Sequence, residues 1–193
     1  MPVGVLALQG SFFDHIKSLK NIGLDYILIK SPEDLGVVDS LILPGGESTA
    51  MRKINSFNNL FSNIDNLIKE GVPTLTTCAG TILVDNNIID GTPCIPNISI
   101  TVHRNAYGRQ NESFEGSVKF LDNNDIYCFI RAPKIVDYDK KEINVLSTHM
   151  DEIVGVQQKN VVSFTYHPEL TNDEYYLNWL KQFIQEGKYV GSF

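Results

Sequence analysis

Cys78 stands where a short β-rich run, Pro73-Thr-Leu-Thr-Thr77, gives way abruptly to Ala79-Gly80 and an apolar segment, Thr81-Ile-Leu-Val84, of helical character. A nucleophile on such a strand-to-helix turn is lifted above the sheet, clear of neighbouring side chains. The N–H groups of the helix start face any negative charge that develops beside it, a setting that favours a thiolate. Burial as a small hydrophobe is the usual fate of a free cysteine. Cys94, between Pro93 and Pro96, and Cys128, inside an apolar run, fit that reading. Cys78 does not.

A thiol nucleophile needs a base, and the base needs a partner that orients it. Among four histidines, His15 lies in an amphipathic helical stretch beside Asp14 and reads as a surface residue. His103 and His149 fall at strand ends and carry no further signal. His167 precedes Pro168, which pushes it toward extended geometry, and in an extended chain residues i and i+2 share a face. Glu169 is thereby placed to hold one imidazole nitrogen while the other faces a nucleophile.

Pro44-Gly-Gly-Glu-Ser48 follows a buried run, and its glycines let backbone N–H groups approach a substrate closely. One such N–H, with that of Ala79, would form an oxyanion hole worth about 3 kcal/mol per donor. The segment is no P-loop, since the Gly-Lys-Ser/Thr ending is missing. Arg104 and Arg131 each end a β-type run, and a guanidinium so placed can clamp a carboxylate through two hydrogen bonds. A solvated strand end is the plainer alternative for both.

The elements that must position these groups begin with Val3 to Leu8, an apolar run expected of a strand covered on both faces. Phe12, Ile16, Leu19 and Ile22 recur at helical spacing before Gly23. Strands are expected at Leu24 to Ile29, Ser40 to Pro44 and Val72 to Thr77, with helices from about Thr49 and over Asn58 to Glu70. That βαβ rhythm predicts a parallel sheet. Gln9, Gly46 and Cys78 all fall at carboxyl ends of strands, where open α/β sheets place their sites.

After Asp85 the texture changes. A polar loop is expected over Asn86 to Asn97, and then short β runs at Ser99 to Val102, Ser117 to Phe120, Tyr127 to Ile130, Ile143 to Ser147, Ile153 to Gln157 and Val161 to Tyr166. These read as antiparallel pairs and edge additions to the main sheet, with turns at Asn123-Asn124 and Lys159-Asn160. A helix over Asn172 to Glu186 closes the chain.

The chain has 193 residues, 42% of them hydrophobic and 20% charged, which suits one soluble domain over residues 1–193. A net charge of -7 without a basic stripe argues against a nucleic-acid surface or an acidic membrane as partner. Three cysteines without regular spacing give neither a disulfide framework nor a zinc pattern. No run reaches membrane-spanning length, and the N-terminus is too short in its apolar stretch for a signal peptide. A reduced, cytoplasmic protein without metal or cofactor is expected.

Leu-Gln-Gly at 8–10, Pro-Gly-Gly-Glu-Ser-Thr at 44–49, Thr-Cys-Ala-Gly at 77–80 and His-Pro-Glu-Leu at 167–170 together resemble the class I glutamine amidotransferases. Arg104-Asn105, Tyr107-Gly-Arg-Gln110, Ser113-Phe-Glu115 and Phe129-Ile-Arg-Ala-Pro133 narrow the likeness to the glutaminase-subunit family of pyridoxal 5′-phosphate synthases. The resemblance implies an α/β three-layer sandwich with a mostly parallel central sheet, a nucleophile elbow and antiparallel additions in the C-terminal half. It implies hydrolysis of L-glutamine by a triad of Cys78, His167 and Glu169, with Gly46 and Ala79 at the oxyanion hole. Glutamine contacts then fall on Gly46, Glu47, Ser48, Arg104, Ile130 and Arg131. The implied partner is a (β/α)8-barrel synthase subunit that takes the ammonia and whose docking completes the oxyanion hole. One position departs from the family pattern: Thr76 stands where glycine is usual two residues before the nucleophile, and its branched side chain needs room. An amidotransferase subunit of histidine, purine or anthranilate synthesis is the alternative, as is a non-catalytic subunit of the same fold. A related branch of cysteine hydrolases carries His directly after the cysteine, where this chain has Ala79.

Overall fold

In the computed structural model, residues 2–89, 91–104 and 113–187 are described. The apolar run at the N-terminus forms β1 (Val3–Leu6), buried at all four positions. It is followed by α1 (Phe12–Asn21), β2 (Tyr26–Ile29) and β3 (Ser40–Leu43). Two consecutive helices, α2 (Ser48–Asn58) and α3 (Leu60–Lys69), break at Asn59, whose left-handed conformation ends one and starts the other. Then come β4 (Thr74–Thr77) and the six-residue α4 (Ala79–Val84), with Cys78 between them.

The second half holds β5 (Asp85–Ile89), β6 (Ile98–His103), β7 (Phe114–Phe120), β8 (Asn123–Phe129), β9 (Lys134–Tyr138), β10 (Asn144–His149), β11 (Glu152–Gln158) and β12 (Val161–Phe164). α5 (Glu174–Glu186) follows, with Asp173 capping its N-terminus through Tyr175 N–H. Nine strands form one sheet in the order β2-β1-β3-β4-β12-β11-β10-β7-β8. The first five run parallel and the last four are joined antiparallel. β5, β6 and β9 make a separate three-stranded sheet.

Successive strand residues pack to opposite sides of the large sheet, as the pleat requires. Val3, Val5 and Ile42 join Leu19 of α1 and Tyr176, Trp179, Leu180 and Phe183 of α5 on one face. Leu6, Leu41 and Leu43 join Leu60, Ile64 and Ile68 of α3, Ile82, Leu83 and Val84 of α4, and Ile98, Ile100 and Val102 of the small sheet on the other. The layers are therefore helices, sheet, and helices with a second sheet.

Four expectations need correction. The segment expected as a loop after Asp85 begins with a strand, because β5 pairs in parallel with the β-rich β6, from Asp85 opposite Ile98 to Ile89 opposite His103. Backbone pairing outweighs the weak β preference of Asp85-Asn-Asn87 there. Lys134–Tyr138, with Ile135 its one buried residue, forms β9 by pairing with β6. The reversal expected at Asn123-Asn124 sits two residues earlier, where Leu121 takes φ 51° and Asn123 already pairs with Phe120. Finally, β12 is no edge addition: it lies between β4 and β11 and is buried throughout.

Asp85 opens β5 with its side chain buried and neither carboxyl oxygen hydrogen-bonded. Burial pushes its pKa up to about 8, against the opposing pull of the Arg52 and Arg104 guanidinium groups. An unfolded Asp ionises near pH ~3.9, so from there to about pH 8 the folded protein keeps a proton that the unfolded chain releases. Stability contributed by this group is complete below that range and falls as pH rises through it, by up to about 1.4 kcal/mol per pH unit. Asp85→Asn should flatten the decline in urea midpoint between about pH 5 and pH 8. Equal pH slopes for wild type and variant would show that Asp85 carries no such linkage.

Candidate active site

Cys78 has φ 48° and ψ −107°, a backbone conformation that side-chain-bearing residues rarely adopt. Three contacts hold it there. Its N–H donates to Phe164 O at 2.8 Å, Thr81 N–H donates to Cys78 O at 3.1 Å, and α4 is buried along its whole length. Gly80 lets the helix start press onto β3, since a Cβ at that position would lie 2.0 Å from Leu43 O.

Thr76, just below the elbow, is fully buried. Its Oγ1 lies 2.7 Å from Ser163 Oγ and 3.2 Å from Thr81 Oγ1, and the Thr81 hydroxyl donates to Phe164 O at 2.9 Å. The branched side chain finds its room, and a partner for its polar atom, between β12 and α4. A chain of hydroxyls thus crosses the space under the nucleophile.

His167 follows β12 and is fixed by its own N–H, which donates to Cys128 O of β8 at 2.9 Å. Glu169 comes to it by a different route from the extended chain expected. Residues Pro168–Leu170 form a single 3-10 turn, which folds Glu169 back until its Oε1 lies 2.8 Å from His167 Nδ1. Burial disfavours the charged imidazole, but the Glu169 carboxylate and hydrogen bonding to Cys78 and Glu169 together raise the pKa of His167 well above its usual value. Burial likewise disfavours the Glu169 carboxylate, yet His15 and His167 hold its pKa below the ordinary range. Gly45 separates base from cysteine: a Cβ there would lie 2.5 Å from His167 Cε1 and 3.3 Å from Cys78 Cβ.

His15 is not a surface residue. Its ring is completely buried, with Nε2 3.1 Å from Thr77 Oγ1 and 3.3 Å from Glu169 Oε1. The neighbours Ile16 and Leu19 mark the buried face of α1, and a polar residue beside them reads as the rim of that face. Only the fold reveals that this rim meets the Pro168–Leu170 turn.

Cys78 and His167 open on a cleft of about 290 Å³. Gly46, Glu47, Ser48, Ala79, Arg104, Ile130 and Arg131 line it as well. Gln9, Ser11 and Ile82 complete the wall; of these only Gln9 stood out in the sequence, at its strand end. Gln9 Oε1 accepts from Glu47 N–H at 2.6 Å and so anchors the loop that leads into α2. Gly45 O accepts from Ser11 N–H at 3.2 Å. The Cys78 thiol donates to Ile130 O at 3.5 Å. Arg104 donates through one terminal nitrogen to Ser48 Oγ and Thr49 Oγ1, both at 3.0 Å, which sets its charge at the N-terminus of α2. The motif residues at 105–112 lie outside the described residues. His103 and His149 stand apart from the cleft walls, and among the described residues no group of metal-ligating side chains occurs.

The family model of the SNO glutamine amidotransferases matches residues 5–187. The chain belongs to that family. It is 43% identical over 189 residues to pyridoxal 5′-phosphate synthase subunit PdxT of Thermosipho africanus, an alignment covering 94% of this chain and all of that protein. The same subunit of Pyrococcus horikoshii is 40% identical, with 92% and 98% covered. A crystal structure of a glutamine amidotransferase superposes with a TM-score of 0.88 at 33% identity, over 97% of this chain and 99% of that one. The PurLQS structure from Thermotoga maritima, at 15% identity and a TM-score of 0.70, shares the fold.

The hydroxyl chain under the elbow of this glutamine amidotransferase can be tested directly. Thr76→Val keeps the shape but leaves Ser163 Oγ without its close partner, which should lower unfolding stability by about 1–3 kcal/mol. Urea denaturation measures it, and an unchanged midpoint would show that the network contributes nothing.

Proposed function

We propose that this chain is the glutaminase subunit of a pyridoxal 5′-phosphate synthase, with Cys78, His167 and Glu169 as its catalytic triad. The carrying observation is the convergence, at one cleft, of an elbow cysteine and a histidine bound to a buried carboxylate. Kinship with the PdxT subunits supports the pathway.

In this reading Cys78 gives its proton to His167, and its sulfur bonds to the side-chain amide carbon of glutamine. His167 then protonates the amide nitrogen as the C–N bond breaks, releasing ammonia and leaving a γ-glutamyl thioester. Water gives a proton to His167 and attacks the thioester carbon. The C–S bond breaks, glutamate leaves, and the sulfur recovers its proton. The imidazolium formed in each half is stabilised by Glu169. The N–H groups of Gly46 and Ala79 face the oxyanion, each worth about 3 kcal/mol.

The amino-acid end of glutamine needs charge complementarity. Arg104, beside the first turn of α2, offers a guanidinium cation to the α-carboxylate. Glu47, which lines the same cleft, offers a carboxylate to the α-ammonium. Ser48, Ile130 and Arg131 complete the contacts in this reading. Ammonia passes to the partner synthase subunit, a (β/α)8 barrel, whose docking completes the oxyanion hole near Gly45 and Gly46. We take residues 1–193 as one glutaminase domain working in the cytoplasm; among the described residues no helix is long and apolar enough to cross a membrane.

The test is ammonia and glutamate release from glutamine, with and without the synthase subunit. Cys78→Ala should lower the rate in the complex by roughly 10³-fold or more. Release by Cys78→Ala equal to wild type would overturn the reading. Gly45→Ala places a methyl group against His167 Cε1, and displacing that ring by about 1 Å should cost roughly 10²-fold in kcat. A Gly45→Ala enzyme of unchanged kcat would show that the base tolerates movement.

A further inference from the structure

His15 belongs to no motif of the proposed site, yet it is joined to the interior of the triad. Its Nε2 and the Nδ1 of His167 approach the same oxygen, Glu169 Oε1, at 3.3 Å and 2.8 Å. The side chains of His15 and Glu169 are both fully buried. A carboxylate has about four acceptor sites, and one removed from water needs more than a single donor to remain charged. Glu169 Oε2 has no hydrogen-bond partner, so Oε1 carries the satisfaction of the whole group.

The other titratable groups that bear on Glu169 come from elements packed around it: Cys128 of β8, Tyr166 after β12, and Tyr176 of α5. None of these can be a cation. Among the groups acting on this carboxylate, His15 and His167 alone can hold positive charge, and His167 must gain and lose a proton in each turnover. His15 is the donor free of that duty. Because a carboxylate oxygen only accepts, the approach of Nε2 to Glu169 Oε1 is favourable when that nitrogen carries a hydrogen. The same nitrogen contacts Thr77 Oγ1, one residue before the cysteine.

We infer that His15 is a positioning residue of the glutaminase site. Its Nε2–H keeps Glu169 ionised and aimed at His167, and ties that carboxylate to the strand that carries Cys78. The inference rests on the triad reading above. It predicts a direction for pH: burial raises the Glu169 pKa, and His15 with His167 brings it down. Without His15 the carboxyl takes its proton at higher pH, so activity is lost sooner as pH falls.

The experiment compares wild type, His15→Phe, His15→Gln and Cys78→Ala in complex with the synthase subunit, following kcat, KM and the pH profile of kcat/KM. His15→Phe should lower kcat roughly tenfold to a hundredfold, the range typical of groups that orient a reacting residue. KM for glutamine should stay near wild type, and the acid limb should move to higher pH. His15→Gln, whose amide nitrogen can reach the position of Nε2, should recover most of the rate and the original limb. A His15→Phe enzyme with wild-type kcat and acid limb would overturn the inference, as would a His15→Gln enzyme equally impaired. Nitrogen-15 NMR of wild-type protein tests the same point without a substitution: Nε2 of His15 should carry the hydrogen, and an unprotonated Nε2 would refute it. Failure of the triad reading shows up separately, as glutamine turnover by Cys78→Ala.

Discussion

The backbone of Cys78 sits in a conformation that costs a non-glycine residue on the order of 1–3 kcal/mol, and it persists because three elements leave it no other. β12 takes its N–H, α4 takes its carbonyl through Thr81, and β3 blocks the way down by its closeness to Gly80. Each is itself fixed by the parallel core, since β4 lies between β3 and β12 in register with both. A strained residue can be held at a sheet end only where the neighbouring strands are immobile. That explains why the proposed nucleophile lies between two parallel neighbours in the interior of the nine-stranded sheet and not at its margin. Thr76 adds to the restraint, because its hydroxyl joins β4 to β12 and α4 at the level directly below.

The second constraint is electrostatic. Glu169 is a carboxylate without water, and its environment must supply what water would have supplied. The donors come from two directions: His167 from its own 3-10 turn, and His15 from α1, on the face of the sheet that α5 also covers. His167 lines the cleft, whereas His15 and Glu169 do not. The imidazole therefore separates a dry, charged interior from the space where substrate would bind. With one ring nitrogen committed to Glu169, only Nε2 is left for proton transfer.

Much of this could be read from residue types and spacing, for a physical reason. The parallel strands are buried on both faces, so their apolar runs are unbroken, and the elbow stands out as the abrupt end of one of them. Gly45 is required by the His167 ring beside it and Gly80 by the backbone of β3, and such requirements leave glycine in the sequence. The small sheet was less legible. β5 is made of Asp-Asn-Asn-Ile-Ile and exists because β6 offers it a backbone to pair with, and β9 buries little more than Ile135. The burial of His15 is hidden from the sequence for the same cause. A histidine on an amphipathic helix carries no local mark of whether it faces water or a carboxylate 154 positions further along the chain. Glu169 reached its expected partner by a turn and not by an extended strand, since Pro168 suits the first position of a 3-10 turn as well as it suits a β segment.

The two sheets divide the work proposed for the cleft. Gly46 follows β3, Cys78 follows β4 and His167 follows β12, so the groups assigned to bond making and proton transfer all rise from adjacent strands of the large sheet. Arg104 follows β6 of the small sheet, and Ile130 and Arg131 lie in the link between β8 and β9, which passes from one sheet to the other. Of the groups assigned to recognising the amino-acid end of glutamine, Glu47 and Ser48 follow β3, whereas Arg104 hangs from a separate, smaller unit joined to the first through a shared apolar layer. Chemistry at the amide carbon tolerates little displacement, since a shift of about 1 Å can cost roughly 10²-fold. Recognition of an α-carboxylate by a guanidinium on a long side chain tolerates more. Placing the first on the rigid parallel core and the second on an added sheet lets substrate contacts vary while the reacting groups stay fixed.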